Sequence, residues 1–265
     1  MESVLHILPA APDAETRRCA DLLRDRIGPP FSITRQTLGP GGTWRNLPAA
    51  ILGLRRQARC ALVHAFGMRP LLAAALGSRA RLIYSPPPDP RPRTEPRWLR
   101  AVGAHRQLDV ICPTATIQRH LLTRGLPPDR THLIRPGVDF SRIRRRRDPE
   151  LRQSLGIAHD DYVLLLVGDS TPAASHHLGI WAGAILHELS SHYRVLAAGT
   201  GPAAGRLDPF AAGFRQGGLF INASRILGRT VELDELFPAA DMLLVTASSD
   251  TATLPVATAM AAALP

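Results

Sequence analysis

The chain contains no lysine: all 32 of its cationic side chains are arginine, set against 22 acidic ones, for a formal net charge of +10 over 265 residues. An amine is therefore removed from every chemistry considered below. Aromatic residues are scarce at 5%, so any core is built mainly from aliphatic side chains. Cysteine is limited to Cys19, Cys60 and Cys112, an odd number at unrelated spacings and without a CxxC. That excludes a disulfide framework or zinc knuckle and fits a reduced, cytosolic thiol set. No run reaches the roughly 18–20 apolar residues that cross a bilayer. The opening MESVLHILPA lacks a basic n-region and reads as a first strand rather than a signal peptide. The expected location is cytoplasmic, including the inner face of a membrane as a peripheral site.

What the chain has in excess is positive charge, which favours anionic partners: nucleotide diphosphates, an anionic membrane surface or nucleic acid. The densest run is IRRRR over 143–147. Blocks of like charge are solvated as a rule, and no aromatic interleaving or nucleic-acid motif accompanies this one, so nucleic acid is set aside.

Short apolar runs alternate with helical patterns. Strands are expected over 4–8, 31–34, 61–65, 81–85, 110–112 and 132–134, with helices over 14–26, 47–59, 69–77, 97–104 and 115–124 between them. Near-continuous apolar strands separated by helices argue for parallel sheets covered on both faces. The stretch 139–149 (DFSRIRRRRDP) breaks the rhythm as a linker. A second series follows, with strands over 162–167, 193–198, 219–221 and 242–246. Its helices are expected over 178–187, 203–215, 233–237 and 254–263. The fold class is α/β, with two Rossmann-like doubly wound domains, 1–138 and 150–265, the second short at four strands. The proline-rich stretch 86–96 is a stiff extended loop after a strand.

Several segments carry a family likeness in order: CALVHAFG (60–67), HLIRPGVDF (132–140), VLLLVGDS (163–170), AAGTGPAAGRL (197–207), ILGRTVELDELFPAADMLLVTAS (226–248) and DTATLPVATAMAAALP (250–265). Together they resemble the retaining GT-B glycosyltransferases of the family-four type, best from Ile111 onward. The resemblance implies an acceptor-binding N-terminal domain and a donor-binding C-terminal one facing a cleft. It also implies glycosyl transfer from a nucleotide sugar, with retention, to a glycan, lipid or small-molecule acceptor, and neither metal nor cofactor.

The same resemblance supplies the candidate residues. Gly168 sits in the turn after the first donor-domain strand, and Gly201 in the Gly-x-Gly-Pro loop. Val231 flanks the nucleotide base. The backbone amides of Thr251, Ala252, Thr253 and Leu254 cradle the diphosphate. Asp250 stands at the first acidic position of the family pattern, gripping sugar hydroxyls, while His64 faces the acceptor from a strand C-terminus. Thr258 replaces the second acidic residue and retains one hydroxyl for the ribose. The family sets an arginine and a lysine against the donor diphosphate. Here Asp169 takes the arginine place and lysine is absent, leaving His176 or His177 as the cation. The loop 251–254 also lacks the family's glycines. These replacements leave open a non-catalytic nucleotide-sugar-binding or scaffold descendant, and the missing closing strands are expected of a fragment of a longer enzyme.

Overall fold

Five successive residues of the first strand, Val4 to Leu8, are buried, the mark of a strand covered on both faces. The computed structural model describes residues 2–9, 12, 14–38, 47–56, 60–86, 95–143, 147–166, 168, 170–214, 218–231, 235–247 and 253–265. It divides into two compact units, 1–136 and 137–265.

The first unit runs β1 (Glu2–Leu8), α1 (Ala14–Arg26), β2 (Phe31–Thr37), α2 (Leu47–Arg56), β3 (Leu62–Phe66) and α3 (Met68–Gly77). It continues with β4 (Arg81–Ser85), α4 (Glu95–His105), β5 (Leu108–Cys112), α5 (Ala115–Thr123) and β6 (Thr131–Leu133). Its six strands are parallel in the order β2-β1-β3-β4-β5-β6. One face carries the main core, where Leu5, Ile7, Val63, Ala65, Leu82 and Tyr84 meet Leu54, Leu71, Leu99 and Leu121 of the helices. The other face is thinner near β1: Leu8 and Phe66 pack on Ala20 of α1. Thr114 caps α5 by accepting from the Ile117 N–H at 3.1 Å, a standard helix start.

The second unit runs α6 (Pro149–Ser154), β7 (Tyr162–Leu166), α7 (His176–Leu189), β8 (Tyr193–Ala197), α8 (Leu207–Ala212), β9 (Phe220–Asn222), α9 (Ala223–Leu227), β10 (Met242–Leu243) and α10 (Thr253–Ala261). Its sheet is parallel in the order β10-β7-β8-β9. Both architectures are doubly wound and Rossmann-like. Separate clusters occupy the two faces of this sheet, one around Leu164, Leu166 and Val195 under α7 and α8, the other around Val163, Leu165 and Leu196.

The differences from the sequence expectation lie mostly in the second unit. The expected helix over 203–215 is a 3-10 turn (Ala204–Arg206) followed by the short α8, and the expected strand over 242–246 pairs for only two residues. The described residues on either side of 144–146 are held rather than free. Phe140–Arg142 form a 3-10 turn under an Asp139 cap, the Asp148 N–H donates to the Pro238 carbonyl at 3.0 Å, and Arg147 pairs with Asp241. Asp148 then caps α6, accepting from the Leu151 N–H at 3.0 Å with Pro149 in the first turn. An Asp-Pro-Glu start of this kind is a readable helix signal.

α6 exists to carry Arg152. This side chain is 3% exposed and its guanidinium donates to four carbonyl or carboxylate groups: Ala239 O at 2.9 Å, Ala158 O at 3.0 Å, Asp161 O at 2.6 Å and Asp241 Oδ2 at 3.3 Å. The same Asp241 oxygen accepts from the Val163 N–H at 2.8 Å, which fixes the approach of the chain to β10 beside β7. Removing one partner of a buried ion pair strands the other in a poorly solvating interior. Arg152→Met is expected to destabilise the second unit by about 3–5 kcal/mol, read as lost hydrogen-exchange protection at the β7 and β8 amides. Unchanged protection would remove Arg152 from this role.

Candidate functional site

In an open parallel sheet, ligands bind beyond the carboxyl ends of the strands where the strand order reverses, because the loops there diverge and leave a crevice. In the second unit this switch point lies between β7 and β10. Gly168 follows β7 with φ +101, a conformation that costs a side-chain residue strain. A Cβ there would meet nothing within 4 Å, so the backbone is open to close approach. Gly201, after β8, also has positive φ, at +96.

The loops after β7 and β8 are stitched together by Ser170. Its N–H donates to the Thr200 carbonyl at 2.7 Å, and its carbonyl accepts from the Ala203 N–H at 2.8 Å. Its hydroxyl lies 3.0 Å from His176 Nδ1 at the start of α7, and both side chains are buried. The chain leaving β10 joins the same edge, where the Thr246 hydroxyl donates to the Ala174 carbonyl at 2.8 Å. The described residues of these loops (168, 170–175, 198–203 and 244–247) include no arginine. Their chemistry is that of amides, hydroxyls and one imidazole. Such a surface suits an oxyanion ligand held by N–H donors.

The structure sorts the expected site residues. Gly168 and Gly201 reach the switch-point edge. Thr253 opens α10, whose N-terminus follows β10, and Leu254 is buried beneath it at 2% exposure. Asp250, Thr251 and Ala252 lie outside the described residues, as does Asp169. Val231 is a correction: it is 4% exposed and packs with Leu196, Leu236 and Phe237 in the core, so its side chain is not available to flank a base. Thr258 is a second. It is 2% exposed, and its hydroxyl donates to the Leu254 carbonyl at 2.8 Å, the local back-bond that threonine makes inside helices. Of the two adjacent histidines, His176 is the one turned into the loop network, while His177 is exposed and meets Phe210 edge-on, with ring centroids 6.1 Å apart.

In the first unit the order reverses between β1 and β3. His64 is the middle residue of the five-residue β3 and 5% exposed, rather than at the strand end. Its Nε2 lies 2.8 Å from Ser85 Oγ. Its register partner on β1 is His6, whose ring stands edge-on 5.3 Å away. Sequence reading passed over His6, although a histidine inside an apolar strand is itself a signal. Burial pushes His64 down to about 3, with the neighbouring His6 adding to the effect. Burial, then the Arg35 charge, pushes His6 down to about 4. Neither is a cation at neutral pH. Further along the sheet the Tyr84 hydroxyl donates to the buried Glu95, and burial, then Glu95, pushes the Cys112 thiol up to about 12, which makes it a poor nucleophile.

Among the described residues one group could bring metal-donor atoms together, Asp160, Asp161 and His192. The Asp161 carboxylate there already accepts from the Ala158 N–H at 2.9 Å and Arg194 Nε at 3.1 Å.

Two parallel Rossmann-like sheets with these switch points define a protein of the GT-B glycosyltransferase fold. The chain superposes over its whole length on 80% of Anabaena HepE, solved in complex with UDP and glucose, at TM-score 0.75 and 18% identity. It likewise covers 80% of the Thermosynechococcus elongatus sucrose-phosphate synthase, at TM-score 0.76 and 13% identity. Residues 5–142 match the model of Glycosyltransferase Family 4, and the chain belongs to that family. A curated relative, the D-inositol 3-phosphate glycosyltransferase of Thermomonospora curvata, is 30% identical over 141 residues. That match takes in 49% of this chain and 32% of the relative, so the chain spans about a third of that relative's length. No helix among the described residues is long and apolar enough to cross a membrane.

The buried histidine pair makes the first unit acid-sensitive. Unfolded histidine protonates near 6.5, whereas folded His6 and His64 do so only near 4 and 3. As pH falls, the unfolded chain therefore binds protons first. The histidine contribution to stability of this unit is fully present above pH 6.5 and declines from there toward pH 3. Denaturant midpoints across that window should fall steadily, and more shallowly in His6→Phe. An identical slope in the variant would contradict the assignment.

Proposed function

We propose that this chain transfers a glycosyl group from a nucleotide-sugar donor to an acceptor hydroxyl, the donor diphosphate lying at the carboxyl edge of β7 and β10. The observation that carries this reading is the meeting of the Gly168 turn and the 198–203 loop, tied by Ser170, at the edge that the chain leaving β10 joins through Thr246. In the reaction the bond between the anomeric carbon and the phosphate oxygen breaks, and charge accumulates on the departing nucleotide diphosphate. Family members meet that charge with an arginine and a lysine. In this chain the work falls to loop N–H groups, the N-terminal dipole of α10 and His176.

In this reading Asp250 holds sugar hydroxyls, and Thr251, Ala252, Thr253 and Leu254 supply amides to the diphosphate. The acceptor oxygen attacks the face from which the phosphate leaves, so configuration is retained, and its proton passes to the departing phosphate. No metal or cofactor takes part. HepE was solved with UDP and glucose, which supports a uridine nucleotide as the first donor to try. The acceptor is a glycan, a lipid or a small molecule, with an anionic membrane surface as the place where a lipid acceptor would be met.

A second reading, a nucleotide-sugar-binding protein without efficient transfer, is favoured by Thr258. Where family members have a carboxylate for the ribose, this hydroxyl is turned back onto its own helix. A gain of donor affinity in Thr258→Glu would mark a weakened enzyme, and no gain a scaffold.

Calorimetric titration with UDP and UDP-glucose tests the site itself. The wild-type chain should bind, and Gly168→Ala should bind about tenfold more weakly, because a methyl then occupies the open approach and its φ is strained. Gly205→Ala, also in open space but without positive φ, should bind as wild type. Equal affinity in all three proteins would move the donor away from this edge.

A further inference from the structure

α7 is built inside out. Surface helices bury their large apolar side chains and present polar ones to water. Here the face against the sheet is made largely of small residues. A Cβ on Gly179 would come within 2.4 Å of Leu166, and one on Gly183 within 2.1 Å of Val195, so only glycine permits this close seating of the helix on β7 and β8. Gly179, Gly183 and Ala184 are buried, with Ile180 and the partly buried Leu186 the large apolar residues that pack toward the sheet. The large apolar residues left over point outward: Leu178 is 47% exposed, Trp181 55%, Ile185 49% and Leu189 79%.

Spacings of three, four and four residues put these side chains on one stripe, about 16 Å long at 1.5 Å per residue. Phe210 of α8, 39% exposed and packed edge-on to His177, widens the patch. A contiguous apolar surface of this kind on a charged protein marks an interaction site.

Charge decides the occupant. The helix has neither arginine nor aspartate; its ionisable residues are His176, His177 and His187 and the single acid Glu188. A patch that docks on anionic lipid needs cations at its rim, and this helix supplies none. On a chain of net charge +10, a neutral face is instead where two copies approach with least repulsion. We propose that α7 is the seam of a two-fold homodimer, pairing antiparallel with α7 of a second copy. A two-fold axis near Gly183 sets Trp181 of each protomer against Ile185 of the other. It also brings the His177 end of one helix beside the Glu188 end of its partner, a self-complementary arrangement.

Sedimentation equilibrium of the full chain tests this. The expected mass is twice the chain mass of 28.7 kDa, with Trp181→Glu raising the dimer dissociation constant by about thirtyfold or more, as for a central tryptophan anchor. Circular dichroism and thermal melting should be unchanged in that variant. Should it misfold, Leu189→Gln at the most exposed position is expected to weaken the dimer about tenfold. Ile226→Glu, on α9, should leave the mass unaltered. A monomeric wild type, or a dimer that Trp181→Glu leaves equally tight, overturns the proposal. So does a monomer that co-sediments with phosphatidylglycerol vesicles until Trp181 is changed, which would give the patch to lipid.

Discussion

The second unit is organised by one buried cation. Arg152 gathers the carbonyls of Ala158, Asp161 and Ala239 and the carboxylate of Asp241, groups from two separate stretches of chain. Asp241 in turn receives the Val163 N–H. The entry of the chain into β10 is thus fixed against β7, and the gap between those strands is the switch point. A two-residue strand pairing would be a weak anchor alone. Charge-assisted hydrogen bonds in a dry interior are stronger and leave little freedom of register. The geometry of the candidate site therefore depends on a side chain that takes no part in it.

The two switch points make opposite chemical provisions. In the first unit the edge is backed by buried, neutral imidazoles, Phe66 and the Ser85 hydroxyl. In the second it is lined by backbone amides and hydroxyls, organised by Ser170. In the second, the described loop residues include no arginine, in a chain with a large excess of it. Those arginines instead serve structure, as Arg81 does by donating to Asp109 at 2.8 Å and Arg194 to Asp161 at 3.1 Å. Net charge and local charge are separate quantities here, and only the first is visible in composition.

Much of the fold was legible because it rests on local signals. The apolar runs at 81–85 and 162–166 and the helix at 14–26 announce themselves by period and length, and the parallel doubly wound class follows from their alternation. The site was less so. Gly168 and Gly201 stand out in the sequence because glycine after a parallel strand has a backbone reason, and both have positive φ. Val231 and Thr258 were misplaced because burial is a tertiary property: nothing adjacent to Val231 says that Leu236 and Phe237 close over it. His64 was seen and His6 was not, since their pairing across strands 58 positions apart appears only once the sheet is formed. Nothing next to Arg152 in the sequence sets it apart from the other arginines. Its role depends on Asp241, 89 residues away.

That separation matters for a chain made from one end. Arg152 meets Ala158 and Asp161, 6 and 9 residues downstream, almost as soon as it is synthesised, but its acidic partner emerges only 89 residues later. Until then β7 and β8 can pair, yet the guanidinium above them holds half its ligands and the sheet edge beside β7 stands open. The second unit can therefore latch only once residue 241 has emerged, and a ribosome that pauses before that point leaves it unlatched.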